Sequence, residues 1–246
     1  MSTIHFVGGE KGGVGKSVLS RLLSQYFLDK SQPYVGLDAD QSHPTLSRYY
    51  LDYTRTINLD HFESIDQIME LALEDDCNVL IDLPAQSERF LDRWIEENGV
   101  IDMCQEMGIK LVYWYAVDSG PDSVNLLENF LNKYSHQLDV IVAKNQGRGT
   151  DFSNIEALSQ LQQSYLSPTN STDFDNGVQS QPIQQFYIPA LHTPTMQKIE
   201  KLGLSFWAAA NLKDNEQPHL GLMERQRSRV WVNKIQQTLD NLISQG

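Results

Sequence analysis

Residues 8–17 read Gly-Gly-Glu-Lys-Gly-Gly-Val-Gly-Lys-Ser, and this segment constrains the fold more than any other in the chain. It stands between an apolar run, Ile4 to Gly8, and an amphipathic stretch, Ser17 to Leu28, so it joins a strand to a helix. Glycines let successive backbone N–H groups turn inward around phosphate oxygens, and the helix N-terminus that follows adds partial positive charge. In such a loop Lys16 reaches the β- and γ-phosphates of a nucleotide, and Ser17 offers its hydroxyl to magnesium.

The rest of the chain repeats that alternation. Short apolar runs occur at Ile4 to Gly8, Tyr34 to Asp38, Val79 to Leu83, Lys110 to Val117, Val140 to Lys144 and Gln185 to Ile188. Amphipathic stretches lie between them: Ser17 to Leu28, with Val18, Leu22, Leu23, Tyr26 and Phe27 on one side, then Ile65 to Leu73, Ser123 to Leu131 and Ile155 to Gln163. Strands alternating with helices predict βαβ units and an α/β fold: a doubly wound, mostly parallel sheet with helices on both faces. The length suits a single domain over residues 1–246. Residues 164–182, rich in Ser, Asn, Asp, Gln, Gly and Pro, read as a loop. A last helix, about Leu222 to Ile243, brings Val230, Lys234, Ile235, Leu239, Leu242 and Ile243 near one another at helical spacing. Packing on the sheet and docking on a membrane both account for that stripe, the latter through Trp231 beside Arg225, Arg227 and Arg229.

No apolar run approaches the roughly 18 residues of a membrane-spanning helix, and the N-terminus lacks a signal-peptide plan, so a cytoplasmic protein is expected. Cys77 and Cys104 have neither C-x-x-C spacing nor histidine partners, which predicts buried thiols. The net charge of −13 opposes long-range attraction to nucleic acid. Between Lys198 and Lys234, however, seven Lys or Arg face four acids, so this segment offers either a solvated helix face or a basic patch for DNA. The six histidines are scattered without ligand spacing and receive no role.

Two further strand ends carry carboxylates. Gly36-Leu37-Asp38-Ala39-Asp40-Gln41 and Asn78-Val79-Leu80-Ile81-Asp82-Leu83-Pro84 both place acids where parallel strands face a ligand crevice. Asp82 ends an apolar strand in the arrangement that holds magnesium, usually through water.

Glu10 stands where the general phosphate-loop pattern G-x-x-x-x-G-K-[ST] has its first glycine, whereas the variant K-G-G-x-x-K-[ST] is met in full from Lys11 to Ser17. In these motifs the chain resembles the deviant Walker A ATPases of the partition and division-site family, ParA and MinD. That resemblance implies ATP and Mg2+ as cofactors, held by Gly9, Glu10, Lys11, Gly12, Gly13, Val14, Gly15, Lys16, Ser17 and Val18. It implies that Lys11 crosses a dimer interface to the partner's phosphates, so that ATP drives a homodimer, and that Lys11, Lys16 and Asp40 are the catalytic set, with Asp40 orienting the attacking water. Ser17, Asp38 and Asp82 would surround the metal, and Asn145 would contact the adenine, with Ile188-Pro189-Ala190 resembling the loop that flanks the base. Gln41 and then Ser42-His43-Pro44 replace the proline that often follows the second aspartate, and Gln86 is given no catalytic role.

Gln105-Glu106-Met107-Gly108 and Glu224-Arg225-Gln226-Arg227 look similar to ATPases encoded with plasmid conjugal-transfer and mobilisation genes. This implies a partner among partition, relaxase or transfer proteins. Two other readings stay open on the same fold: a metabolic ATP-dependent enzyme or iron-protein-like reductase, and a membrane-surface regulator like MinD.

Overall fold

The structure, a computed structural model, describes residues 2–41, 44–74, 77–162, 164–165, 181–213 and 217–244. Its elements in chain order are β1 (Thr3–Gly8), α1 (Lys16–Asp29), β2 (Tyr34–Asp38), α2 (Leu46–Tyr49), β3 (Thr54–Thr56), α3 (Phe62–Glu74), β4 (Asn78–Asp82), α4 (Glu88–Asn98), α5 (Val100–Met107), β5 (Lys110–Val117) and α6 (Pro121–Tyr134). There follow β6 (Asp139–Asn145), α7 (Ser153–Glu156), α8 (Ser159–Gln162), β7 (Ser164–Tyr165), β8 (Gln181–Pro182), β9 (Gln184–Ile188), α9 (Thr193–Leu202), α10 (Phe206–Asn211) and α11 (Leu222–Ser244).

Seven strands form one sheet in the order β3-β2-β4-β1-β5-β6-β9, and every pair in it is parallel. Side chains of a strand alternate between faces, and here each face meets its own layer of helices. Ile4 and Phe6 of β1, Tyr113 and Tyr115 of β5 and Val142 of β6 join Trp94 of α4 and Phe130 of α6 in one core. Val7, Trp114, Ile141 and Ala143 join Leu23 and Phe27 of α1, Phe206 of α10 and Ile235 of α11 in the other. The sheet is therefore doubly wound, as the alternation of apolar runs and amphipathic stretches predicts.

Several expectations change. The stretch Ile155 to Gln163 is not one helix but two single turns, α7 and α8. Its buried residues, Phe152, Ile155, Leu158 and Leu161, recur every three positions, a spacing that drifts off the face of a continuous α-helix. Residues 164–182, read as a loop, begin and end in the antiparallel pair β7 and β8, and residues 166–180 lie outside the described residues. The stripe assigned to α11 holds at Ile235, Leu239, Leu242 and Ile243, which pack in or against the core, but not at Val230, 58% exposed, or Lys234, also exposed, where Ser228, Trp231 and Val232 face the protein instead.

Trp231 consequently does not serve a membrane face. Its ring packs edge-on against Phe206 at 5.0 Å, and its Nε1 donates to the Pro189 carbonyl at 2.6 Å. Arg225 and Arg229 donate to the carbonyls of Leu220 (2.7 Å) and Ala210 (2.8 Å), so two of the three arginines tie α11 to the segments before it. Among the described residues no helix is long and apolar enough to cross a membrane.

Candidate functional site

The glycine loop leaves the C-terminal end of β1, between β4 and β5, and three of its glycines answer to named neighbours. A Cβ on Gly8 would lie 1.8 Å from the Tyr113 hydroxyl. Gly9 has φ +149° and approaches the Ala116 carbonyl so closely that a Cβ would lie 2.6 Å from it. Gly15, at φ +110°, precedes α1, and a Cβ there would meet Asn145 Nδ2 at 2.1 Å. Positive φ costs glycine little and other residues much. Gly12 and Gly13 present open space instead, which leaves the outer side of the loop accessible.

Lys16 opens α1 and folds back over the loop. Its Nζ donates to the carbonyls of Gly9 (3.1 Å) and Lys11 (3.3 Å), so the ammonium lies across the loop's centre. Burial pulls its pKa below the usual lysine range, against the attraction of Asp82, Glu10 and Asp40. Ser17 and Val18 follow in the first turn of α1, both half-buried.

Parallel registry brings the carboxylates together. Asp38 pairs with Asp82 between β2 and β4, and Asp82 pairs with Val7 beside the loop. Asp82 is 2% exposed, and its carboxyl is pushed up to about 7 by burial, with the nearby charges of Asp38 and Asp40 adding and the Ser20 hydroxyl and Lys16 opposing. Burial raises Asp38 as well, although its Oδ2 accepts from Ser47 N (2.9 Å) and Ser47 Oγ (3.1 Å). Oδ1 of each aspartate is buried without a hydrogen-bond partner. Leaving such atoms unsatisfied is costly, so two orphaned carboxylate oxygens beside a lysine and a serine fit a hydrated divalent cation. Among the described residues no group of three or more His, Cys, Asp or Glu could hold a metal by itself, so such an ion would also need phosphate oxygens and water. Asp40 is half-buried next to this pair, within electrostatic reach of Lys16 and Asp82; Ser42 and His43 lie outside the described residues.

The other expected residues fall around the loop. Glu10 turns toward the start of α4, where burial and the charge of Glu88 raise its pKa, and its Oε1 is buried without a partner. Asn145, 5% exposed at the end of β6, donates from Nδ2 to the Val14 carbonyl (2.8 Å) and accepts from Gly147 N (2.9 Å). It braces the phosphate loop, and its amide keeps one further N–H and one further lone pair. Lys11 forms an ion pair with Asp118 at 3.0 Å. Asp118 and Ser47 are site residues that sequence reasoning passed over. The signal for Asp118 was its place just beyond a strand end, and Ser47 carried none. Cys77 and Cys104 are buried in the core; Cys77 precedes β4, at the end of the strands opposite the loop, and Cys104 contacts Met69.

Fold, two-lysine loop and strand-end aspartates together resemble those of ParA/MinD-like P-loop nucleotide-binding proteins. No family model matches the chain. It is similar to two Escherichia coli proteins named Protein TraL, at 33% and 30% identity over 135 residues, covering 53% of this chain and 56% of each relative. It is also similar to Protein MobD of Acidithiobacillus ferrooxidans, 28% identical over 147 residues, covering 58% of this chain and 63% of that protein. The chain thus spans little more than half the length of the curated relatives it matches. The MinD cell division protein of Aquifex aeolicus aligns over 96% of both chains with a TM-score of 0.54 and 13% identity, a likeness of fold.

Proposed function

We propose that this chain is an ATP-dependent switch that dimerises on binding ATP with Mg2+ and hydrolyses it slowly, within a single P-loop domain. The observation that carries this reading is the pair Asp38 and Asp82, buried with unpartnered oxygens beside Lys16 in a loop that has a second lysine at position 11. Gly9 to Ser17 would wrap the phosphates with backbone N–H groups, and Lys16 would exchange its two carbonyl bonds for phosphate oxygens. Ser17 would take the metal, with Asp82 and Asp38 holding its water. A bound magnesium ion supplies charge neutralisation on the phosphates. Asp40 would hold the attacking water in line, and Lys11 of one subunit would offset charge developing on the partner's γ-phosphate. Asn145 would use its remaining N–H and lone pair on the adenine edge.

The similarity to TraL and MobD, together with the resemblance to ATPases of conjugal transfer and mobilisation, supports a role in plasmid transfer or DNA positioning, with a transfer or partition protein as partner in the cytoplasm. The exposed Lys201, Lys213, Arg227 and Lys234 are what remains of a basic surface for DNA.

Light scattering on the full chain with Mg2+ and ATP tests this reading. The wild type is expected to shift from monomer to dimer and to release phosphate slowly. Lys11→Ala should stay monomeric, and Asp40→Ala should dimerise but hydrolyse about 100-fold more slowly. Dimerisation of Lys11→Ala at the wild-type ATP concentration would sink the trans role of Lys11.

A further inference from the structure

A cleft of about 410 Å3 opens where the last turns of α1, residues 49–53 and the start of α10 meet. Leu51, Tyr53 and Trp207 line it and are 75%, 47% and 53% exposed. Large apolar side chains on a surface are usually scattered singly, so three on one concavity mark a place of contact. Asp29 and Asp52 line the same cleft, and among the described residues no lysine, arginine or histidine does. Asp52 is exposed and has no hydrogen-bond or ion-pair partner among those residues. Nearby bases do not neutralise the pair. Lys30 is taken by Asp240 at 2.7 Å, and Arg21 and Arg48 lie over the Tyr49 ring at 3.6 Å and 5.5 Å without lining the cleft.

The walls are fixed through one buried amide. Gln25 Oε1 accepts from the Tyr50 hydroxyl (3.2 Å) and from Trp207 N (2.9 Å), and its Nε2 donates to Asp29 Oδ1 (2.8 Å). Three segments of the chain are thereby tied together, so the cleft is formed before anything enters it. It is also separate from the phosphate loop, since Gln25 stands roughly 14 Å along α1 from Lys16.

We propose that this cleft docks a partner protein by taking one of its arginine or lysine side chains toward Asp29 and Asp52, with the partner's flanking aliphatic residues on Leu51, Tyr53 and Trp207. The proposal goes beyond the switch reading and stands whether or not the chain dimerises. A long basic side chain carries an apolar stem and a charged head, which suits aromatic walls that end in carboxylates. An exposed ion pair alone contributes little, so the rings and the fixed walls supply most of the affinity. Acidic partners and anionic lipid are opposed by both aspartates and by the net charge of −13. A free amine would leave the apolar rim uncovered.

Pentapeptides Gly-Leu-Xaa-Leu-Gly bearing an uncharged dye, with arginine, lysine, citrulline, leucine or glutamate at Xaa, test this by anisotropy against the full chain at low ionic strength. The arginine and lysine peptides are expected to bind with a Kd on the order of 100 μM. Citrulline, neutral but of arginine's shape, should bind about fivefold more weakly. Asp52→Asn should weaken the arginine peptide about threefold and leave the citrulline peptide unmoved, and Trp207→Ala should weaken both about fivefold. Circular dichroism and affinity for a fluorescent ATP analogue should match wild type in both variants, because the two side chains are exposed and lie away from the loop. The proposal is overturned if no peptide binds at about 1 mM protein, if the arginine, citrulline and leucine peptides bind alike, or if both variants bind the arginine peptide as wild type does. Other occupants would show themselves and overturn it too. Trp207 is the exposed one of four tryptophans, so a blue shift of emission with phosphatidylcholine vesicles but not with the arginine peptide would indicate a membrane. Nucleotide-free self-association abolished by Trp207→Ala would indicate a second copy, and putrescine binding as tightly as the arginine peptide would indicate a free amine.

Discussion

Asp82→Asn should stabilise the nucleotide-free protein while abolishing its response to Mg2+ and ATP. Asp82 is fully enclosed between β1 and β2, and its carboxyl titrates at about 7 instead of 3.8. Between those values the folded chain holds a proton that the unfolded chain has released, so stability falls as pH rises through that window. Above it the ionised group costs about 4 kcal/mol, at 1.36 kcal/mol per pH unit. Asparagine carries no charge and leaves the packing nearly unchanged. In urea unfolding with EDTA and no nucleotide, Asp82→Asn is therefore expected to gain about 2–4 kcal/mol at pH 8. The gain should shrink toward zero below about pH 3, where the wild-type carboxyl is protonated in both states. Adding Mg2+ and ATP at pH 8 should stabilise the wild type and leave the variant unmoved. An asparagine variant equally destabilised at pH 5 and pH 8 would refute the reasoning, because a loss independent of pH cannot arise from a buried charge.

Two other substitutions probe how the site is braced. Asn145→Ala removes the 2.8 Å bond to the Val14 carbonyl and should weaken binding of a fluorescent ATP analogue about tenfold, since a buried hydrogen bond contributes about 1–1.5 kcal/mol. Trp231→Phe deletes the 2.6 Å donor to Pro189 and part of a buried ring, and should cost about 2 kcal/mol in urea unfolding. The comparison substitution Trp207→Phe, at a residue 53% exposed, should stay within about 0.5 kcal/mol of wild type.

The strands were legible where they are buried. Lys110 to Val117 appears as β5 with the expected bounds because seven of its eight residues are enclosed, and such a run is apolar throughout. β3, Thr-Arg-Thr at the sheet edge, was not legible: three half-exposed or exposed residues carry no apolar signal. α4 is different, since Phe90, Leu91, Trp94 and Ile95 are buried at helical spacing and the signal was present but passed over. Within the candidate site, the meeting of Asp38 and Asp82 was legible because each stands at a strand end, and the place of Lys16 because its motif sets it where the loop enters α1. Contacts such as Lys11 to Asp118, 107 residues apart, and Asn145 to Val14, 131 apart, were not, because they depend on which strands flank β1. That order is set by the packing of two helix layers on one sheet.

Those long-range contacts also divide the loop into a seated part and an open part. Tyr113, Ala116 and Asn145 press on Gly8, Gly9 and Gly15, so the back of the loop is seated on β5 and β6 and has little room to move. Gly12 and Gly13 touch nothing comparable, and Lys11 beside them is restrained by one ion pair. On the proposed reading, the seated part would carry the residues facing the subunit's own nucleotide, and the open part the lysine that would reach another subunit. The same division holds in the electrostatics. Asp82 is held in a site that disfavours its charge and would be relieved by a cation, whereas Asp118 sits among donors, the Lys11 ammonium included, that already favour its charge. A cation bound at the seated end of the loop would therefore relieve a cost that the open end does not carry.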